Sequence, residues 1–282
     1  MMKPELKLLD THAHLDDPIY ERDLDIVIRH AQDAGVGVIT VGNDYTSSVR
    51  AVNIAERYSN VWAAIGLHPL KIGGAVRAED KLVDIGRYEE LANHPKVVAV
   101  GETGLDYHDL PQGPRKSMEA DLAARIKDNQ RKVFSRFLEL SRDLRLPLML
   151  HCREAHDEML KMLETWDRST RGFDSRGVIH CFSGTWKQAR RYFNLDFMIS
   201  VTGLVSHGGH QDELLLRAPL SKLLAESDCP FLTPVSWSTR RNEPQYITSV
   251  VSNVAGLRQQ PIDEVEKQFL ANALQVFKRV SR

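Results

Sequence analysis

The sequence predicts a TIM (β/α)8 barrel with one extra C-terminal helix, and three observations carry that expectation. Eight short β-branched runs alternate with longer stretches of helical period along almost the whole chain. The length of 282 residues suits a barrel, since eight strand–helix units occupy about 250 residues. The first run is not followed by a glycine-rich G-x-G-x-x-G turn, which disfavours the open doubly wound sheet. Alternation of strands with helices implies parallel pairing, because each crossover needs a helix to bring the chain back.

The first run is Leu6–Asp10, and the amphipathic stretch Asp23–Ala34 returns the chain to the second, Gly37–Val41. Ser48–Tyr58 leads to the third, Trp62–Gly66, and the fourth follows at Val97–Gly101. The irregular stretch His108–Asn129 comes next. Between Arg115 and Lys132, six basic residues stand against three acidic ones. That local excess reads either as a solvated helical extension or as a basic arm that steers a polyanion. In Gln130–Leu144 the residues Val133, Phe134, Phe137, Leu138 and Leu140 form a stripe near 3.6 periodicity. The fifth run, Pro147–Leu150, precedes the stretch Glu154–Trp166; the sixth, Gly177–Ile179, precedes Thr185–Phe193. The seventh and eighth are Phe197–Val201 and Leu223–Glu226, and Ile262–Val280 reads as a further helix packed on the outside. With no linker, repeat or low-complexity tract, residues 1–282 are expected to form a single domain.

Composition narrows the function classes. An apolar share of 42% excludes disorder as the main state. A formal charge of −1 means that a nucleic-acid ligand would have to be held by a local patch or by metal. No apolar run reaches the roughly 18 to 20 residues of a membrane span. The opening residues lack the h-region of a secretion signal. Three unpaired cysteines point to reduced thiols, so a cytoplasmic protein is expected.

The chemistry is concentrated where strands end. Asp10-Thr11-His12-Ala13-His14 closes the first strand, and alternation on an extended strand turns His12 and His14 to one side. Glu102 follows the fourth strand, His151 the fifth, His180 the sixth and Asp228 the eighth. In a closed barrel all the carboxyl ends share one rim, so these four histidines and two carboxylates converge there. Six ligands are too many for one catalytic zinc, which takes three from the protein. They suit two divalent ions about 3.5–4 Å apart, bridged by a carboxylate and by water. Two dications, two carboxylates and a bridging hydroxide leave one net positive charge, which a singly charged phosphodiester neutralises. Imidazole ligands favour Zn or Mn over Mg. Cys152, Cys181 and Cys229 each follow a ligand by one residue and are read as packing residues on the opposite face.

Other polar residues near the rim are candidates for substrate contact. His68 follows the third strand and could reach a phosphate. Arg153 shares a side with His151 and could grip a phosphate with its planar guanidinium. Arg241, or its neighbour Arg240, could do so from the loop after the eighth strand. His207 and His210 read as solvated loop histidines, and His30, His94 and His156 as surface residues; His108 would reach the rim only on an inward-folded loop. Trp237, and less so Trp186, are the loop-side aromatics on which a base could stack.

At these residues the sequence resembles the TatD-related deoxyribonuclease family, metal-dependent hydrolases of the amidohydrolase superfamily. The matching pieces are DTHAHLD at 10–16, GLHP at 66–69, VGETGLDY at 100–107, LHCREAHDEML at 150–160 and VIHCFSG at 178–184. SVTGLV at 200–205, ESDCPFLTP at 226–234 and RRNEP at 240–244 continue the match in family order. The resemblance implies a TIM barrel that hydrolyses DNA phosphodiesters, often from the 3′ end of single-stranded or frayed DNA. It implies one metal held by His12, His14, Glu102 and Asp228, and another by Glu102, His151 and His180. Glu102 would bridge the ions and Asp228 would take the proton of the attacking water; the family pattern admits Mg as well as Zn and Mn. The chain departs from the pattern at Leu70, where histidine is common, and at Ser227, where threonine is usual. The segment 108–129 looks longer than usual and the loop Val235–Thr239 shorter.

Three rival readings share the same residues. A hydrolase of small lactones, amides or phosphotriesters would use the same metal pair on a C=O or P=O bond. A hydrolase of a tRNA-linked ester would act on nucleic-acid ends without cutting a phosphodiester. A metal-binding interaction protein on a barrel scaffold would hold metal without turnover. No obligate protein partner is evident.

Overall fold

The computed structural model describes residues 6–74, 82–110, 118–167, 176–209 and 211–280. Eight strands pair in parallel, each with the next in sequence: β1 (Leu8–Ala13), β2 (Val36–Val41), β3 (Val61–Ile65), β4 (Val97–Asp106), β5 (Leu148–Arg153), β6 (Gly177–Ile179), β7 (Phe197–Val201) and β8 (Leu223–Ala225). The register starts with Leu8 opposite Val36 and ends with Val201 opposite Ala225. A parallel bridge between Ala13 and Cys229 brings β1 against the end of β8, and this closes the barrel. The fold is the expected TIM barrel.

Around it lie α1 (Leu24–Asp33), α2 (Tyr45–Arg57), α3 (Ile85–Ala92), α4 (Met118–Leu144), α5 (His156–Asp167), α6 (Trp186–Asn194), α7 (Asp212–Arg217), α8 (Ile247–Arg258) and α9 (Ile262–Val276). Among the described residues no helix is long and apolar enough to cross a membrane. Side chains on the outer faces of the strands pack against these helices in one large core that includes Leu8, Val38, Val100, Leu148, Ile199 and Leu223. The barrel interior is a second core, built from Leu9, Ile39, Ala64, Val98, Met149, Val178, Met198 and Leu224, near the amino ends of the strands.

Three expectations are corrected. The last helix ends at Val276, and its Ala273 and Val276, with Phe277, join the interior core. It therefore plugs the amino-terminal mouth of the barrel instead of covering its flank. Asn272 anchors it by donating to the carbonyls of Leu220 and Leu223, both at 2.8 Å. Second, α4 begins at Met118, well before the predicted Gln130. Its first turns are held by polar contacts that periodicity does not register: Arg125 donates to the Gly74 carbonyl and Asn129 to that of Gly73. Third, β1 and β4 run further than their apolar runs. The register slips between Asp10 and Ala13 in β1 and between Val100 and Thr103 in β4, so polar residues continue each strand to the rim.

Close approach of β4 to β5 requires glycine. Gly101 and Gly104 have φ of +151° and +145°, and a Cβ on Gly104 would stand 2.1 Å from the His151 carbonyl oxygen. The backbone carrying Glu102 is thereby pressed against the backbone carrying His151.

Candidate active site

The carboxyl-terminal rim is assembled by backbone pairing before any side chain takes part. The Asp228 amide donates to the His12 carbonyl at 2.9 Å, and the His14 amide donates to that of Cys229 at 2.8 Å. This locks His12, His14 and Asp228 in register across the seam of the barrel. Buried Asp10 braces the same seam, accepting from the Ser227 amide at 2.8 Å and the Ser227 hydroxyl at 2.6 Å. Burial raises the Asp10 carboxyl well above the usual range, against the lowering effect of the Ser227 bonds. The hydroxyl retained at position 227 is thus a structural requirement of the seam.

Glu102 is the hub. It is 2% exposed, and four imidazoles surround its carboxylate. Oε2 lies 3.4 Å from His12 Nε2; Oε1 lies 2.9 Å from His151 Nδ1, 3.4 Å from His68 Nε2 and 3.6 Å from His180 Nε2. Burial opposes its charge, yet His68, His12 and His180 together hold the carboxyl well below its ordinary range. Asp228 Oδ1 lies 3.5 Å from His14 Nε2 and 3.8 Å from His12 Nε2. Burial works against ionisation there too, but the contact with His14 and the charge of His180 keep Asp228 a carboxylate.

Outer carboxylates and carbonyls orient the rings. His14 Nδ1 faces the Val41 carbonyl oxygen at 3.1 Å, a contact only an N–H satisfies, so a neutral ring turns its Nε2 lone pair inward. His151 Nε2 faces Asp106 Oδ2 at 2.8 Å, which leaves the Nδ1 lone pair directed at Glu102. His180 Nδ1 stands 2.9 Å from Glu226 Oε1, at ion-pair distance though out of line for a hydrogen bond, and its ring stacks on His12 with centroids 3.7 Å apart. Burial opposes protonation of His14 and His180, but the carboxylates around them prevail and raise them to about 9 and about 10. Such pairing of a ligand histidine with an outer carboxylate is how metal sites hold tautomer and ring angle.

His68 differs from the other three. Its Nδ1 accepts a bond from the Leu70 amide at 3.1 Å, so a neutral His68 carries its proton on Nε2 and presents a donor. By distance alone His68, Glu102 and His151 form one possible metal-holding group, and His12, His14 and Asp228 another. The tautomer makes His68 the poorer ligand of the first set. The donors fit divalent metal: inward-facing imidazole lone pairs and two carboxylates meet in one buried place, with His12 Nε2 only 3.3 Å from His14 Nε2. Those like groups repel each other unless protons or cations lie between them.

The remaining candidates divide. Arg153 lies exposed at the end of β5; its carbonyl accepts from the Tyr107 amide at 2.9 Å, but its side chain has no hydrogen bond or ion pair among the described residues, and its charge acts on Asp106. Arg241 is occupied elsewhere. It grips Asp23 with both terminal nitrogens at 3.1 and 2.8 Å, reaches Glu243 at 3.3 Å and donates to the Ile19 carbonyl at 2.8 Å. These contacts fasten the β8 loop to the entry of α1 and give no support to the expected phosphate contact.

The basic excess before Lys132 is also largely spent within the chain. Arg131 pairs with Asp128 and Glu158, Lys132 with Asp128, and Lys127 sits over the Tyr107 ring; Arg115 and Lys116 lie outside the described residues. Trp237 is stacked on Tyr246, with centroids 4.4 Å apart, and Trp186 packs edge-on against Phe193. His156, expected on the surface, is buried against the Tyr192 hydroxyl at 3.0 Å. His30 pairs with Glu243, His94 with Glu56 and His108 with Glu154, while His207 is exposed and His210 lies outside the described residues.

Cys152 and Cys229 are buried in the outer core, and burial pushes the Cys152 thiol up to about 12. Cys181 is half-buried on the rim instead of packed in that core. Asp106, Glu226 and Asp10 are the supporting carboxylates that pattern reading missed; they contact His151, His180 and Ser227. Their signal was present: each is an acidic residue two to four places from a candidate ligand within the same strand-end motif.

A barrel whose rim gathers imidazoles and carboxylates in this way defines a metal-dependent hydrolase. The family model described as TatD related DNase matches residues 9–278, and the chain belongs to that family. An uncharacterized metal-dependent hydrolase of Bacillus subtilis, YabD, is 34% identical over 96% of this chain and 99% of its own length. The 3′-5′ ssDNA/RNA exonuclease TatD of Klebsiella pneumoniae is 32% identical over 96% of this chain and 97% of its length. Among solved structures, the TatD homologue YjjV of Escherichia coli K12 is similar with a TM-score of 0.81 and 28% identity, covering 97% of this chain and 98% of that one.

Proposed function

We propose that this hydrolase is a 3′-to-5′ exonuclease acting on single-stranded or frayed DNA, with two divalent ions as cofactor and the whole chain acting as one unit. The observation that carries the two-ion reading is Glu102, whose Oε2 addresses His12 while Oε1 addresses His151 and His180. A carboxylate placed between two histidine groups is what a bridging ligand requires. His12, His14, Glu102 and Asp228 would hold one ion, and Glu102, His151 and His180 the other. A set of four imidazoles to two carboxylates favours Zn or Mn, with Mg the third candidate. Bound there, such ions supply a hydroxide near neutral pH and stabilise charge on the phosphoryl oxygens.

The chain's own groups do the rest. Asp228, ionised and on the rim side of the hub, takes the proton of the attacking water. His68 offers its Nε2 proton to a phosphoryl oxygen. Arg153 holds the phosphate from the rim with paired N–H groups. The thiols take no part, since burial keeps them protonated.

The test is metal-stripped protein incubated with a 3′-labelled single-stranded oligonucleotide and Mg, Mn or Zn in turn, with Glu102→Ala alongside. Stepwise shortening that needs metal and vanishes in the variant is expected. An intact oligonucleotide with metal demonstrably bound would transfer the reading to a small-molecule or acyl hydrolase.

A further inference from the structure

Phe231 stands out on the rim. It lies three residues beyond Asp228, is 53% exposed, and meets His14 edge-on with ring centroids 6.0 Å apart. Its backbone is pinned: the Phe231 amide donates to the Asp228 carbonyl at 2.9 Å, and its own carbonyl accepts from Asn242. Asn242 is fully buried and also donates to the Ser227 carbonyl at 2.8 Å. The neighbouring β7 loop supports the same stretch, since the Val235 amide donates to Ser206 Oγ at 2.9 Å. An exposed aromatic ring is therefore held beside a proposed metal ligand by hydrogen bonds at both ends of its own backbone unit. The loop tryptophans that a sequence search favours already pack on Tyr246 and Phe193.

We propose that Phe231 is a substrate-positioning residue on which the base of the 3′-terminal nucleotide stacks, setting its phosphodiester over Glu102 and Asp228. The proposal rests on the nuclease reading above. A single-stranded end leaves its base unpaired and able to stack, whereas a duplex end must first give up its pair. Every base has a π-face, so such a platform is indifferent to sequence, as an exonuclease requires.

The experiment compares two single-stranded oligonucleotides that share the same terminal phosphodiester, one ending in a base and one in an abasic tetrahydrofuran residue. Stacking of one base is worth about 1–3 kcal/mol, so wild type should favour the base-bearing end by about 5- to 150-fold in kcat/KM, mostly through KM. Phe231→Ala should bring that ratio close to one, and Phe231→Trp should keep it; thermal melts control for folding. A wild-type ratio near one, or a Phe231→Ala enzyme with the wild-type ratio, overturns the platform while the nuclease reading stands. No cleavage of either end by wild type under any of the three metals overturns both.

Discussion

Glu226 Oε1 sits 2.9 Å from His180 Nδ1 while accepting the Cys181 amide at 2.7 Å. One fully buried carboxylate thus fixes both the ring and the backbone of a proposed ligand. Replacing Glu226 by Gln keeps the shape and removes the charge. Metal affinity should fall about 10- to 100-fold, the usual effect of losing such an orienting partner. A titration with Zn or Mn against a competing chelator reads this directly, and unchanged affinity would refute the orienting role.

Arg153 tests substrate binding apart from metal chemistry. Its side chain makes no hydrogen bond or close ion pair among the described residues, and only its charge is felt, by Asp106, so truncation breaks no direct contact. Arg153→Ala should raise KM for an oligonucleotide about 10- to 150-fold, the range of hydrogen bonds between charged groups, with metal content unchanged. Lys at this position should restore only part, because an ammonium cannot form the paired bonds.

Arg241 provides the contrast. Its contacts to Asp23, Glu243 and the Ile19 carbonyl are structural, and about a fifth of its side chain is exposed, which weakens them by solvent screening. Arg241→Ala should cost about 1–2 kcal/mol of stability and lower Tm by a few degrees. KM for oligonucleotide should stay within twofold; a tenfold rise would return Arg241 to the substrate site.

His156 predicts a pH dependence of folding. Burial lowers its pKa from 6.5 to about 4, so the unfolded chain takes up this proton first as pH falls. Its contribution is complete above about pH 6.5 and is lost on the way down to about pH 4, up to about 3 kcal/mol in all. Urea midpoints measured across that window should fall less steeply for His156→Asn than for wild type. Parallel slopes would mean that His156 is not buried in its neutral form.

Much of the barrel, and the residues that meet at its rim, could be read from order along the chain. Strand-end position is a one-dimensional property, and closure of the sheet brings every carboxyl end to one rim. His12, His14, Glu102, His151, His180 and Asp228 were legible for that reason. So was the alternation of strand and helix, because hydrophobic period is local.

Tertiary structure decided what depends on partners distant in sequence. The extra helix enters the barrel mouth because Ala273, Val276 and Phe277 fill an interior whose size no single segment states. Arg241 is structural and Arg153 open because Asp23 lies over 200 positions from one and, among the described residues, no acceptor is within hydrogen-bond reach of the other's side chain. His68 presents a donor because one backbone amide, that of Leu70, occupies its other nitrogen. Phe231 is an open face and Trp237 a covered one through packing alone. The sequence specified which groups the rim would carry, and three-dimensional contact determined where each one points and which remain available to a substrate.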